Sequence, residues 1–389
     1  MSTTCIIGWG HTPFGKHAET DVEGLIVAAG REALDHAGLA ADAIDMVIVG
    51  HFNGGFSPQS FPSSLALGID PALRFKPALR VENACATGSA AVETGMIAIE
   101  SKRARYTLVI GVEQMSKTPP AEVGRNLLKA SYVKDEGSTP GGFAGLFGRI
   151  ADAYFQRYGD QSDALARIAS KNHRNGCANP YAQMRKDLGY EFCRTESEKN
   201  PLVAGPLKRT DCSLVSDGAA ALVLAGLDEA LAARRAVAIR GFAHVNDTLP
   251  LAGRDIVAFE GCRRAWQHAL GQTRLTLEDL SFVETHDCFT IAELIEYEAM
   301  GLAAPGQAAR LLEEGVTEMT GRLPVNPSGG LKAKGHPVGA TGVSMHVLGA
   351  MQLTGAAGEM QIENARLAGI FNMGGAAVAN YVSLLERIR

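Results

Sequence analysis

One order of elements occurs twice in this chain, and that repeat limits what the chain can fold into. "TCIIGWG" reads as a buried strand, "DVEGLIVAAGREALDHAG" as an amphipathic helix and "IDMVIVG" as a second strand. Far downstream, "AVAIRGF", "DIVAFEGCRRAWQHALG" and "LSFVETHD" read the same way. Setting "EALDHAG" against "RAWQHALG" matches His36 with His268 at an offset of 232, and Ile44 then matches Leu280 at an offset of 236. About four residues are therefore inserted between the paired helices and strands. A repeated strand–helix–strand order points to two similar α/β halves.

The repeat extends to the small-residue helices. "NACATGSAAVETGMIAI" precedes the strand "YTLVIGVEQM", and "KGHPVGATGVSMHVLGAM" precedes a stretch read as one strand, "AGIFNMGGAAVANYVSLL". Cys85 and His336 thus fall at equivalent places, each expected at the start of a helix rich in Gly, Ala, Ser and Thr. Such helices pack closely, as helices buried between two sheets must. The first half is interrupted before its last strand, "AAALVLAG", by a Gly/Pro-rich stretch with one long helical segment, "DALARIASKNHRN". The expected units are 1–118 for the first half, 119–213 for an inserted loop domain, 214–232 for the end of the first half and 233–389 for the second. An excursion of that size reads as a lid or substrate-binding segment.

Composition removes several classes of function. The formal charge of −5 shows no basic excess of the kind a nucleic-acid binder carries. The seven cysteines are odd in number, scattered and without a CxxC pair, which suits a reducing compartment better than a disulfide framework. No apolar run approaches the ~20 residues of a membrane span. "MSTTCIIGWG" lacks a basic leader region and "LLERIR" carries no recognisable address, so a soluble, cytoplasmic protein is expected.

Three segments hold residues capable of chemistry. Cys85 stands where "LRVEN" gives way to a helix, and unpaired N–H groups and the helix dipole there are expected to lower a thiol pKa. "ETHDCFTIAEL" brings His286, Asp287 and Cys288 to a strand end, where α/β active sites gather. "NPSGGLKAKGHPVGATG" leads through polar and glycine residues to His336. Taken singly, these read equally as a buried cysteine, a satisfied histidine and a solvated turn. "GWGHTPFGK" has Pro13 where a dinucleotide fingerprint wants glycine, and "GHPVGATG" lacks the Gly-Lys-Ser/Thr of a phosphate loop. His173, Cys177, Cys193 and Cys212 lack the tight spacing of zinc ligands, so no metal is expected.

Taken together, "ENACATGSAA", "HDCF" at 286–289, "NPSGGLKAKGHPVGATG" and "NMGGAA" at 372–377 resemble a thiolase of the sterol-carrier-protein-2 and acetyl-CoA acetyltransferase type. "NHRNGCANPYAQ" and "SDGAAALVLA" extend the likeness over nearly the whole chain. The resemblance implies a five-layer αβαβα fold of two duplicated halves with a loop domain, and a homodimer or homotetramer. It implies that Cys85 attacks a 3-ketoacyl-CoA to form an acyl-cysteine. His336 would take the thiol proton and, with His286, hold the enolate oxygen. The N–H groups of Cys85 and Gly374 would hold the tetrahedral oxyanion, and Cys288 would move the last proton.

Coenzyme A would be a substrate, with no further cofactor. Lys332, Lys334 and Arg174 are the candidates for its phosphates, and "GGFAGLFG" (141–148) either lines an acyl pocket or forms the loop-domain core. Many thiolases carry their acid/base cysteine in a C-terminal Cys-x-Gly, which reads Asn372-Met373-Gly374 here. The sterol-carrier group instead places that thiol in HDCF, as Cys288. A decarboxylating ketoacyl synthase and a non-turnover acyl-CoA- or lipid-binding subunit remain the alternatives. Some relatives work with a small zinc-containing OB-fold partner.

Overall fold

The computed structural model describes residues 4–389. Met1, Ser2 and Thr3, on which part of the leader reading rests, lie outside the described residues. The first half runs β1 (Thr4–His11), α1 (Val22–Ala37), β2 (Met46–Gly50), β3 (Ala78–Val81), α2 (Thr87–Glu100) and β4 (Tyr106–Gln114). Within the excursion lie α3 (Phe143–Tyr158), α4 (Ser162–Gly176) and a small hairpin, β5 (Leu202–Ala204) and β6 (Leu207–Lys208); β7 (Asp217–Gly226) then closes the half. The second half runs β8 (Val237–Asn246), α5 (Glu260–Thr273), β9 (Phe282–Glu284), α6 (Thr290–Ala299), α7 (Gly330–Lys334), α8 (Thr341–Leu353), β10 (Leu367–Gly374) and β11 (Ala379–Arg387).

Local signals set α1 where the sequence places it. The Asp21 side chain accepts the Gly24 N–H at 2.9 Å, and Gly38 ends the helix in the left-handed conformation at φ 68°.

The strands join in the order β3-β2-β4-β7-β1-β8-β11-β10-β9. Within the sheet, the two halves are joined at β1 and β8, where Cys5 pairs with Ala238 and Ile6 with Val237. On either side of this seam the duplication shows in strand direction. β2–β4 and β9–β10 are parallel, whereas β4–β7, β10–β11, β1–β7 and β8–β11 are antiparallel. One expectation is corrected here. The stretch 368–385 is not one strand but two antiparallel strands, turning at 375–378 with Ala377 at φ 55°. The long excursion occupies the place of that short turn in the first half.

Alternation along the strands separates the layers, because successive side chains point to opposite faces. Ile7, Val49, Ile110 and Val223 pack with α1, whereas Ile6, Ile48, Val109 and Leu222 belong to the core that contains α2. In the second half, α8 meets Ile370 and Leu385 at Gly349, and α5 meets Leu384 at Gly241 on the opposite face. The layers are therefore helix, sheet, helix pair, sheet and helix, which is the expected αβαβα fold.

The central pair α2 and α8 cross at near backbone contact. A Cβ on Gly88 would stand 2.6 Å from the Val343 nitrogen, and one on Gly342 would stand 2.3 Å from the Ser89 nitrogen. Only bare α-carbons fit there. This contact brings the starts of the two helices together, and with them Cys85 and His336.

Candidate active site

Cys85 lies two residues before α2, on a turn in which Ala84 adopts φ 51°. Its own N–H and that of Gly375 face the sulfur and favour a thiolate. Burial nonetheless outweighs them and pushes the thiol up to about 12. The expected depression of its pKa is thus reversed. Desolvation at a side chain only 7% exposed exceeds what two main-chain donors return. Gly374, the donor expected from the sequence, ends β10 with its α-carbon against the Asn83 carbonyl. The N–H turned toward sulfur belongs to the next residue, Gly375, which sequence reasoning did not name.

His336 is not at a helix start. It sits between the short helix α7 and α8, five residues before Thr341. Its main-chain N–H donates to Ser216 Oγ at 3.0 Å, and its Nδ1 lies 2.7 Å from Thr341 Oγ1. That hydroxyl gives its own proton to the Pro337 carbonyl at 3.1 Å, so it accepts from Nδ1–H. His336 Nε2 is therefore the bare lone pair, and it is buried with no hydrogen-bond partner among the described residues. Burial and Lys334 lower its pKa to about 3, keeping the ring neutral and able to accept a proton.

His286 stands edge-on to His336, with ring centroids 5.0 Å apart and planes at 85°. Burial, His336 and Lys334 hold it well below the usual histidine range. Cys288, two residues on, is buried and its thiol raised by burial. A charge on Cys85 would raise it further, so the two sulfurs sense each other.

Cys85, Cys288 and His336 line one cavity of about 410 Å³. Most of its remaining wall is apolar and includes Met115, Leu127, Phe143 and Phe289. Phe289 stacks on Phe147 at 4.4 Å, which joins the HDCF segment to α3 of the excursion. Of the two readings of 141–148, both hold: Phe143 lines the cavity while Phe147 is core.

The sequence left Asp287 without a role. Its carboxylate accepts from the Leu331 and Lys332 N–H groups at 2.6 and 3.1 Å and from Asn172 Nδ2 at 2.7 Å. It caps α7 and ties it to the HDCF strand end and to α4. "GGLKAK" therefore forms a short helix instead of a turn. Glu113, at the end of β4, ties the two halves in the same manner. It accepts from Phe52 and Asn53 in the first half and from Gly339 in the second, at 3.0 to 3.2 Å.

The expectation for the basic residues is corrected. Lys332 and Lys334 are 2% and 0% exposed, and Lys334 Nζ donates inward to Ser344 Oγ at 3.0 Å. Neither ammonium group is presented to an external phosphate. Arg174 is paired with Glu318 and does not line the cavity. Arg209, which sequence reasoning missed, is the charged side chain on the cavity wall among the described residues.

Comparison with known proteins finds relatives along the whole chain. A family model described as "Thiolase, N-terminal domain" matches residues 4–228, and "Thiolase C-terminal domain-like" matches residues 243–387. An acetyl-CoA acetyltransferase of Methanothermobacter thermautotrophicus is 33% identical over 394 residues, covering 100% of both chains. Sterol carrier protein 2 of Homo sapiens is 32% identical over 393 residues, covering 95% of this chain and 69% of that one. A solved "Ltp2-ChsH2(DUF35) aldolase" chain shares the fold with a TM-score of 0.83 at 20% identity, covering 100% of this chain and 98% of that one.

Proposed function

The chain belongs to the thiolase family, and on that premise we propose that it cleaves a 3-ketoacyl-CoA with CoA, or runs the reverse condensation, through an acyl-Cys85 intermediate. The observation that carries this reading is the convergence of two thiols and an unpartnered imidazole nitrogen on one apolar cavity.

The chemistry follows from the protonation states. Burial opposes a thiolate at Cys85 and an imidazolium at His336 when each forms alone. Moving one proton from Sγ to Nε2 creates two opposite charges on the wall of one cavity, where they offset one another. The thiolate adds to C3 of the substrate, and the N–H groups at Cys85 and in the 374–375 turn receive the oxyanion. The C2–C3 bond then breaks, leaving an acyl-cysteine and the enolate of acetyl-CoA. His286 and the protonated His336 hold the enolate oxygen while Cys288 gives its proton to C2. Incoming CoA returns a proton to Cys288, its thiolate attacks the acyl-cysteine, and His336 reprotonates Cys85. Every proton is accounted for by a residue at the cavity.

The wall of Met115, Leu127, Phe143 and Phe289 fits an apolar acyl group larger than acetyl. We assign the CoA phosphates to the side of the cavity that carries Arg209. Intact-protein mass after incubation with acetyl-CoA and with longer and aromatic acyl-CoAs tests the reading. One acyl adduct mapping to Cys85 and removed by free CoA is expected. Absence of an adduct with every donor would favour a binding or partner-dependent subunit.

A further inference from the structure

The two histidines at the site face the same reaction with opposite hydrogen-bonding capacity, and Asn372 sets the difference. Asn372 is fully buried on β10, at the place where many thiolases carry the cysteine of Cys-x-Gly. Its Nδ2 lies 3.2 Å from the Cys85 carbonyl oxygen and 2.9 Å from His286 Nδ1, and its Oδ1 accepts the Ser89 hydroxyl at 2.8 Å. A carbonyl oxygen only accepts, so the amide atom on that side is the nitrogen. Both amide protons are then committed, one to Cys85 and one to His286. His286 Nδ1 must be a lone pair, and the ring's single proton sits on Nε2. His336 is the mirror case, with its proton on Nδ1 and a bare Nε2.

We propose that Asn372 is a positioning residue that locks His286 as its Nε2–H tautomer, so that His286 meets the enolate oxygen as a donor while His336 starts the cycle as an acceptor. The proposal rests on the thiolase reading of the site. It explains why an amide occupies a position that no longer needs a thiol. A neutral donor there selects the His286 tautomer, whereas a carboxylate would select the opposite one. The same amide holds the carbonyl of the nucleophile, so a single side chain registers the nucleophile turn against the oxyanion donor.

The direct test is made on the wild-type full chain with ¹⁵N-labelled histidine, using long-range ¹H–¹⁵N correlations. The His286 signals are identified by their loss in His286→Gln. A protonated Nε2 and an unprotonated Nδ1 across pH 6–8 are expected; a protonated Nδ1, or a mixture of tautomers, overturns the proposal.

Kinetics of Asn372→Asp supply a second readout. An aspartate draws the ring proton to Nδ1, so C–C cleavage at pH 8 should fall about 100- to 1,000-fold, the usual loss for one oxyanion donor. Acetyl loading of Cys85 from acetyl-CoA should fall far less. Cleavage should recover as the pH is lowered, because an imidazolium carries a proton on both nitrogens. Equal loss of both steps at every pH would show a merely structural role. If the wild type accepts no acyl group from any donor, the thiolase reading fails, while the tautomer is still decided by the NMR measurement.

Discussion

The turn that carries Cys85 and the turn that carries His336 hold equivalent places in the two halves, yet they are built differently. The Cys85 turn is short, drawn into a positive φ at Ala84 and closed by the Thr87 hydroxyl, which accepts the Asn83 N–H at 2.8 Å. The groups that face its sulfur are main-chain N–H donors. The His336 turn is longer and is held by side chains: Ser216 on its N–H, Thr341 on its ring and Glu113 on Gly339. If Cys85 is the nucleophile, as proposed, it needs room around its sulfur and donors for the oxyanion to come, so backbone suffices. A base must present one particular nitrogen, and that requires side-chain partners on the other.

Removing each group tests this division of labour. Cys85→Ala should abolish the acyl-enzyme altogether, and a labelled adduct persisting in that variant would refute the assignment. His336→Ala should slow turnover by about 100- to 10,000-fold, the range for loss of a general base. It should also lower alkylation of Cys85 by iodoacetamide at neutral pH; unchanged alkylation would mean that the imidazole does not activate the thiol. Cys288→Ala should spare acyl-enzyme formation at Cys85 from an activated acyl-CoA while blocking enolate protonation. Wild-type rates of acetyl-CoA-releasing cleavage in that variant would move the last proton transfer elsewhere.

Two smaller effects probe the scaffold under the turns. Gly342→Ala forces a methyl group into the backbone of α2 and should cost about 1–3 kcal/mol, read by denaturant unfolding. Stability equal to wild type would show that the helices separate freely. The other effect appears only as the pH falls and concerns His346, buried on α8 between the Gly342 carbonyl and Ser383 Oγ. Burial lowers its pKa to about 4. The unfolded chain, with an ordinary histidine pKa near 6.5, therefore binds a proton that the folded one refuses. The stability from this group is complete above pH 6.5 and is lost as the pH falls toward 4. Its total is about 3 kcal/mol. In His346→Gln the dependence of unfolding free energy on pH should flatten by up to one proton between pH 6.5 and 4, and parallel wild-type and variant curves would contradict this.

The repeat made the fold legible because period-2 and period-3.6 patterns survive in "IDMVIVG" and "REALDHAG" without any tertiary information. Cys85, His286, Cys288 and His336 were visible because each sits in a local motif. Lys332 and Lys334 were misjudged for a physical reason: sequence reports charge but not depth, and both lie on a helix whose capping by the distant Asp287 turns them inward. Asn372 and Glu113 act through partners 60 or more residues away in sequence, so no window along the chain could reveal them. For Cys85, the sign of the pKa shift depended on burial, which the helix-start motif does not encode.

The meeting of β1 with β8 over two residues bears on how the protein is made. The first half is closed by β7, yet the groups that meet Cys85 from the second half, the Gly375 N–H and Asn372, are made long after the cysteine itself. From Cys85 to His336 the ribosome must add 251 residues (336 − 85), roughly 13–50 s at usual synthesis rates. On the proposed reading, Cys85 meets its base only when α8 docks against α2, so synthesis order would postpone activation of the thiol until the second half has folded.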